Sequence, residues 1–140
     1  MASEAHQFIA EVIANKMYAE GYEVISFEGH NQTETVKLRL PPKILRHRPD
    51  LIGIKKQSIA IGEAKTASDL GKRTREQLQD FTNNDLWPAD IEHKVFFGIP
   101  TSIKEEFMRM VKRLGIDENN LLIIDVPDRL LYYENKDSYL

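Results

Sequence analysis

The chain contains no cysteine. That excludes a disulfide scaffold, a Cys-ligated zinc finger, an iron–sulfur site and a thiol nucleophile. Long apolar runs are also missing. They are as short as Leu121-Leu122-Ile123-Ile124, whereas a membrane-spanning helix needs about 20 apolar residues. The N-terminus has no basic stretch followed by an apolar block, so no secretory signal is expected and the default compartment is cytoplasmic. No glycine-rich phosphate loop is present, which counts against an ATP-driven enzyme. There is no repeat, low-complexity tract or linker. What remains is an ordinary globular composition, 41% hydrophobic and 29% charged over 140 residues. That length suits a single domain spanning 1–140. A chain this size buries roughly two-thirds of its unfolded surface, so it folds without a metal or disulfide staple.

The net charge is -3, which by itself argues weakly against a nucleic-acid partner. Its distribution says more. Residues 43–75 carry nine basic side chains against three acids, a net +6, leaving -9 for the rest. A basic block inside an acidic protein suggests a local anion-facing surface. Lys and Arg scattered over solvated faces are the plainer alternative.

Hydrophobic spacing orders the chain. Phe8, Ile9, Val12, Ile13 and Met17 recur at helical intervals, predicting a helix over Ala5–Glu20, with Ser3 as N-cap and Gly21 as stop. Tyr22–Phe27 and Val36–Leu40 alternate as strands, and Pro41-Pro42 ends the second. Leu51–Ile54 and Ile59–Glu63 are two further strands, joined by Lys55-Lys56-Gln57-Ser58. A helix opening near Asp69 is expected to run to about Asp85. Lys94–Ile99 is a strand. Ser102, with Glu105 three residues on, forms a capping box for a helix ending at Leu114 and stopped by Gly115. Leu121–Val126 reads as a strand buried on both faces. The order is α-β-β-β-β-α-β-α-β, an α/β (α+β) layer with a mixed sheet flanked by helices.

The informative stretch is Arg48-Pro49-Asp50 followed by Gly62-Glu63-Ala64-Lys65. In an antiparallel hairpin, opposed residues have a constant index sum. A sum of 113 pairs Ile54 with Ile59, Ile52 with Ile61, and Asp50 with Glu63. Strand alternation puts Asp50, Ile52 and Ile54 on one face, with Ile59, Ile61, Glu63 and Lys65 beside them. The register that buries the four isoleucines together therefore sets two carboxylates side by side. A one-residue slip would send one strand's apolar set to the wrong side. Adjacent carboxylates repel, and a divalent cation between them removes the problem. Mg²⁺ suits two carboxylates plus water and phosphate oxygens. Lys65 on the same face could hold or help deprotonate an attacking water, or stabilise developing negative charge. Ala60, Gly62 and Ala64 line the opposite face, where a helix can pack closely. A surface hairpin with ordinary acids and a lysine is the bland alternative. An isolated Glu-x-Lys triplet would favour it; Asp50 in hairpin register within a basic segment does not.

Pro49-Asp50 and Glu63-Ala64-Lys65, separated by a strand, resemble the motif of the PD-(D/E)xK nuclease superfamily, which is restriction-endonuclease-like in fold. Gln77-Leu78-Gln79-Asp80-Phe81 is similar to the Q-h-x-x-Y motif of its RecB-like members, with Phe81 where tyrosine is usual. The resemblance covers roughly residues 5–100, and resolvase-like (Holliday-junction-resolvase-like) and defence-associated roles stay open. It implies that Asp50 and Glu63 bind Mg²⁺, with Mn²⁺ as a substitute. The Ala64 carbonyl and an acid from the leading helix, Glu11 before Glu4, would assist. It also implies that Gln77 reaches the metal site or scissile phosphate. Lys43, Arg46, Arg48, Lys72, Arg73 and Arg75 would contact DNA phosphates, although exposed charges on a helix have a plainer reading as solvated. Arg73 shares a helix face with Gln77. His6, His30, His47 and His93 show no metal-ligand spacing and read as surface residues, with His47 the only one expected near the site, and Trp87 reads as a packing anchor.

The expected protein is a Mg²⁺-dependent DNA endonuclease, acting alone, as a homodimer, or as a subunit of a larger nuclease system. The alternative is a catalytically silent nucleic-acid-binding or assembly domain on the same fold.

Overall fold

The computed structural model describes residues 3–28, 40–66 and 70–132. One helix, α1 (Glu4–Ala19), precedes strands β1 (Glu23–Phe27), β2 (Leu51–Lys55) and β3 (Ser58–Ala64). Helix α2 (Lys72–Phe81) leads to β4 (Glu92–Pro100), α3 (Lys104–Arg113), β5 (Leu121–Val126) and the short α4 (Asp128–Leu131). The strands form one sheet in chain order. β1, β2 and β3 run antiparallel; β3, β4 and β5 run parallel. The result is a mixed five-stranded sheet with helices, an α+β arrangement. The proposed strand at Val36–Leu40 falls mostly outside the described residues, as do Gly29–Thr33 and Asp69. No described helix is long and apolar enough to cross a membrane.

The hairpin β2–β3 adopts the register of constant sum: Ile52 faces Ile61 and Ile54 faces Ile59. Burial refines the expectation. Ile52 and Ile61 are buried, but Ile54 is exposed and Ile59 half-buried. On the isoleucine face the turn end is thus less covered than the other half, while on the α1 face Gly53 and Ser58 are buried.

Two apolar layers flank the sheet. Ile9, Ile13 and Met17 of α1 pack with Leu51, Ala60, Ala64 and Phe96. On the other face, Leu78 and Phe81 of α2 and Phe107 and Val111 of α3 pack with Ile61, Val95, Phe97 and Ile99. Glycine sets how closely α1 approaches. A Cβ on Gly98 would lie 2.5 Å from Ile9 Cγ2, and one on Gly62 would lie 2.9 Å from Ile13 Cγ2. The same closeness explains why Ala5, Ala10 and Ala14 join the buried stripe of α1, whereas Phe8, expected inside, is 40% exposed. Ser3 caps α1 as expected, accepting from the His6 amide at 3.1 Å. Gly21, at φ +92°, follows its end.

Three further expectations change. The second helix stops at Phe81, and Asn84–Leu86 forms a separate 3₁₀ turn. Ser102 does not cap α3; its hydroxyl donates to Asp128 at 2.6 Å, and its amide to the same carboxylate at 2.9 Å. β5 lies at the sheet edge, so its residues from Leu121 to Asp125 are half-buried rather than enclosed on both faces.

Candidate active site

The sheet changes from antiparallel to parallel at β3. At the C-terminal end of β3, where side chains of open α/β sheets commonly meet ligands, a cleft of about 520 Å³ opens. Asp50, Glu63, Lys65 and Gln77 all line it. The hairpin register brings the first two together. The Asp50 amide donates to the Gly62 carbonyl at 3.0 Å and to Glu63 Oε1 at 3.1 Å. The Ala64 amide donates to Asp50 Oδ2 at 2.8 Å. Each strand end thus holds the other's carboxylate through a backbone N–H, and neither acid can swing away without losing a buried hydrogen bond.

Lys65 Nζ lies 3.1 Å from Glu63 Oε2. Gln77, projected from α2, donates through Nε2 to the same oxygen at 3.1 Å. Its Oε1 is buried and has no partner among the described residues. Asp50, Glu63 and Lys65 are only 6%, 3% and 7% exposed. Three ionisable groups so deeply placed are costly unless paired, and such clusters in a cleft mark functional sites. Burial first, then the Asp50 charge beside it, pushes the Glu63 carboxyl well above its usual range, against the pull of Lys65. Like charges this close disfavour joint ionisation.

The donor set suits a hard divalent cation. Two carboxylates converge, and the Asp50 charge helps to raise the Glu63 carboxyl above its usual range. No three His, Cys, Asp or Glu groups among the described residues converge on one point. The residues that could hold such a cation are the carboxylates of Asp50 and Glu63.

The leading helix reaches this site through a different residue from the one expected. Glu11 is half-buried and does not line the cleft. His6 does, with Nε2 at 3.1 Å from Asp50 Oδ2. The spacing carried a signal for this, since His6 continues the Ile9–Ile13–Met17 stripe that faces the sheet. Glu28, just past β1, also lines the cleft, and its amide donates to the Asp50 carbonyl at 2.7 Å. Thr74 of α2 is a further lining residue that the sequence did not mark.

The basic residues separate into groups. Arg48, Lys72 and Arg73 line the cleft, Arg73 on the same side of α2 as Gln77. Lys43 is exposed and does not line it. Arg46 has another occupation. Its Nη2 donates to Asp80 Oδ1 at 2.7 Å and its backbone amide to Asp80 Oδ2 at 3.0 Å, with Glu76 3.7 Å from Nη1. That pairing fastens the 44–47 turn to α2. His47, expected at the surface, is buried there and meets Glu76 at 3.0 Å. The hydrogen bond with His47 chiefly, and the Arg46 and Lys72 charges, hold the Glu76 carboxyl below its usual range. Arg75 faces away from this cleft and lines a second one against α3.

No protein-family model, curated protein or solved structure matches the chain. Function is therefore read from the chemistry of the site.

Proposed function

We propose that this protein is a metal-dependent deoxyribonuclease with a restriction-endonuclease-like core. The observation that carries the reading is the junction of Asp50, Glu63 and Lys65 in one buried cluster at the floor of an open cleft. Asp50 and Glu63 would hold Mg²⁺ or Mn²⁺, with the Ala64 carbonyl as a further oxygen donor. A bound divalent cation supplies charge stabilisation at the attacked phosphate and makes its bound water a better nucleophile.

The chain's own residues have separate tasks. Lys65, held by Glu63, directs ammonium donors into the cleft, where they orient water for in-line attack and offset charge on the phosphate oxygens. Water adds to phosphorus and gives up a proton to solvent, while the bond to the leaving sugar oxygen breaks and that oxygen takes a proton from solvent. Gln77 fixes the rotamer of Glu63 and offers an unused buried acceptor to the same space. His6 and the Ala64 amide orient Asp50. Arg48, Lys72 and Arg73 supply phosphate contacts at the rim.

The test is cleavage of a supercoiled plasmid in Mg²⁺ or Mn²⁺. Wild type should nick or linearise it. Asp50→Ala and Lys65→Ala should each lose at least about a hundredfold in rate, the scale of a missing proton-transfer or electrostatic group. DNA binding without cleavage by wild type would replace this reading with a silent binding or assembly domain.

A further inference from the structure

Resting on the nuclease reading of the neighbouring cleft, we infer that a second cleft, between α2 and α3, receives an unpaired nucleotide of the substrate strand. This cleft has a volume of about 340 Å³, within the size range of small-ligand pockets. Leu70 lines both it and the Asp50–Glu63 cleft, so the two open side by side along one surface.

Its walls carry three guanidiniums, Arg75 from α2 and Arg109 and Arg113 from α3. The α3 pair follows from helix geometry: residues four apart lie one above the other, and the half-buried Met110 and Leu114 lie between that stripe and the buried Phe107 and Val111. None of the three makes an ion pair among the described residues. Arg46 provides the contrast, since it is fully engaged by Asp80 as structural arginines are. Three unpaired guanidiniums around one cavity repel one another, and an anion relieves that. Their planar forks match phosphate oxygens two at a time.

The floor favours a nucleotide over a bare phosphate. Met110 and Leu114, with Leu70, give half-buried apolar surface against which a base can lie. Arginine planes stack on exposed bases, which is how single strands are gripped without sequence reading. Glu106, the one carboxylate in the cleft, is a poor neighbour for phosphate but an acceptor for a base amino group. A paired duplex keeps its bases stacked inside and would leave this floor bare.

The experiment is fluorescence anisotropy in EDTA, where no cleavage consumes the probe. The probes are a labelled single-stranded oligonucleotide and its blunt duplex. The proteins are wild type, the double variant Arg109→Gln/Arg113→Gln, and Arg109→Lys/Arg113→Lys. All the substituted side chains are exposed, and thermal melts check that each variant folds. The glutamine variant should lose about tenfold or more in single-strand affinity. Its salt slope should fall by about 1.4, two contacts at 0.7 each. Duplex affinity should change less than threefold. The lysine variant should recover the salt slope but only part of the affinity, because the fork is gone. Unchanged single-strand affinity in the glutamine variant, or equal losses on both probes, overturns the inference. Cleavage is scored separately with Asp50→Ala. Arginine-dependent strand binding without any wild-type cleavage would sink the nuclease reading and keep this cleft's role. Cleavage with no arginine dependence would do the reverse.

Discussion

Glu63 sits 3% exposed between charges of opposite sign, Asp50 and Lys65, and the fold resists its ionisation. This makes stability depend on pH in a specific direction. The folded carboxyl releases its proton at a higher pH than the unfolded one. Below the ordinary carboxylate range both states are protonated and the full stability is present. As pH rises towards the raised Glu63 value, the unfolded chain has already ionised while the folded one resists, and stability is lost. The slope is at most one proton, about 1.4 kcal/mol per pH unit. Glu76 and Asp125, whose carboxyls are held low, act oppositely and in a lower pH window. Urea denaturation across pH 4–8 in EDTA should therefore show wild type losing stability relative to Glu63→Gln as pH rises. Parallel curves for the two proteins would remove the basis of this prediction. On the proposed function, added Mg²⁺ should restore wild type at the upper end and leave Glu63→Gln unaffected, since a cation held by Asp50 and Glu63 would substitute for the missing proton.

Among the elements, α1 and the 44–47 turn decide whether the cluster is assembled. α1 carries His6 to Asp50, and Gly98 and Gly62 let the helix lie close to the sheet. Gly98→Ala puts a methyl 2.5 Å from Ile9 Cγ2 and 2.9 Å from Ile13 Cδ1. Overpacking of this kind costs about 1–3 kcal/mol, and the urea midpoint should fall accordingly. Ile9→Ala added to Gly98→Ala should make the two substitutions non-additive, because one vacates the space the other fills. The 44–47 turn depends on Asp80, 2% exposed, which accepts both the backbone amide and the guanidinium of Arg46. Asp80→Ala strands the amide. The Arg46 side chain is about half exposed, so water recovers part of its share and the expected loss is about 1–2 kcal/mol. Equal thermal stability of Asp80→Ala and wild type would show that this turn is held by other contacts.

For the molecule as a whole, charge placement matters more than net charge. The basic stretch of residues 43–75 is dispersed by the fold. Arg48, Lys65, Lys72 and Arg73 gather at one cleft, Arg75 turns to the other, and Arg46 is neutralised by Asp80. Lys56 stands at the β2–β3 turn, at the far end of the hairpin from Asp50 and Glu63. On the proposed function, Lys72→Gln/Arg73→Gln should weaken DNA binding about tenfold at low salt and flatten its salt dependence, whereas Lys56→Gln should leave both within about twofold. Filter binding over a salt series distinguishes the two, and equal effects would mean that binding follows bulk charge rather than the cleft.

The sequence alone determined the hairpin. Alternation rules out one-residue slips, and the register that pairs Ile54 with Ile59 and Ile52 with Ile61 together carries Asp50 to Glu63. It also marked Lys65, which strand alternation places beside Glu63, and Gln77, through the resemblance of its helix motif. Tertiary structure decided what no local period encodes. Periodicity puts His6 on the sheet-facing stripe of α1, but that the first turn of α1 ends beside Asp50 depends on how the helix packs along the sheet. Whether an arginine is free or held depends on the carboxylate that packing brings to it: Arg46 meets Asp80 across 34 positions of chain, while Arg109 and Arg113 meet none among the described residues. Local repeats fix the facing of a side chain; only the packing of separate elements fixes its partner.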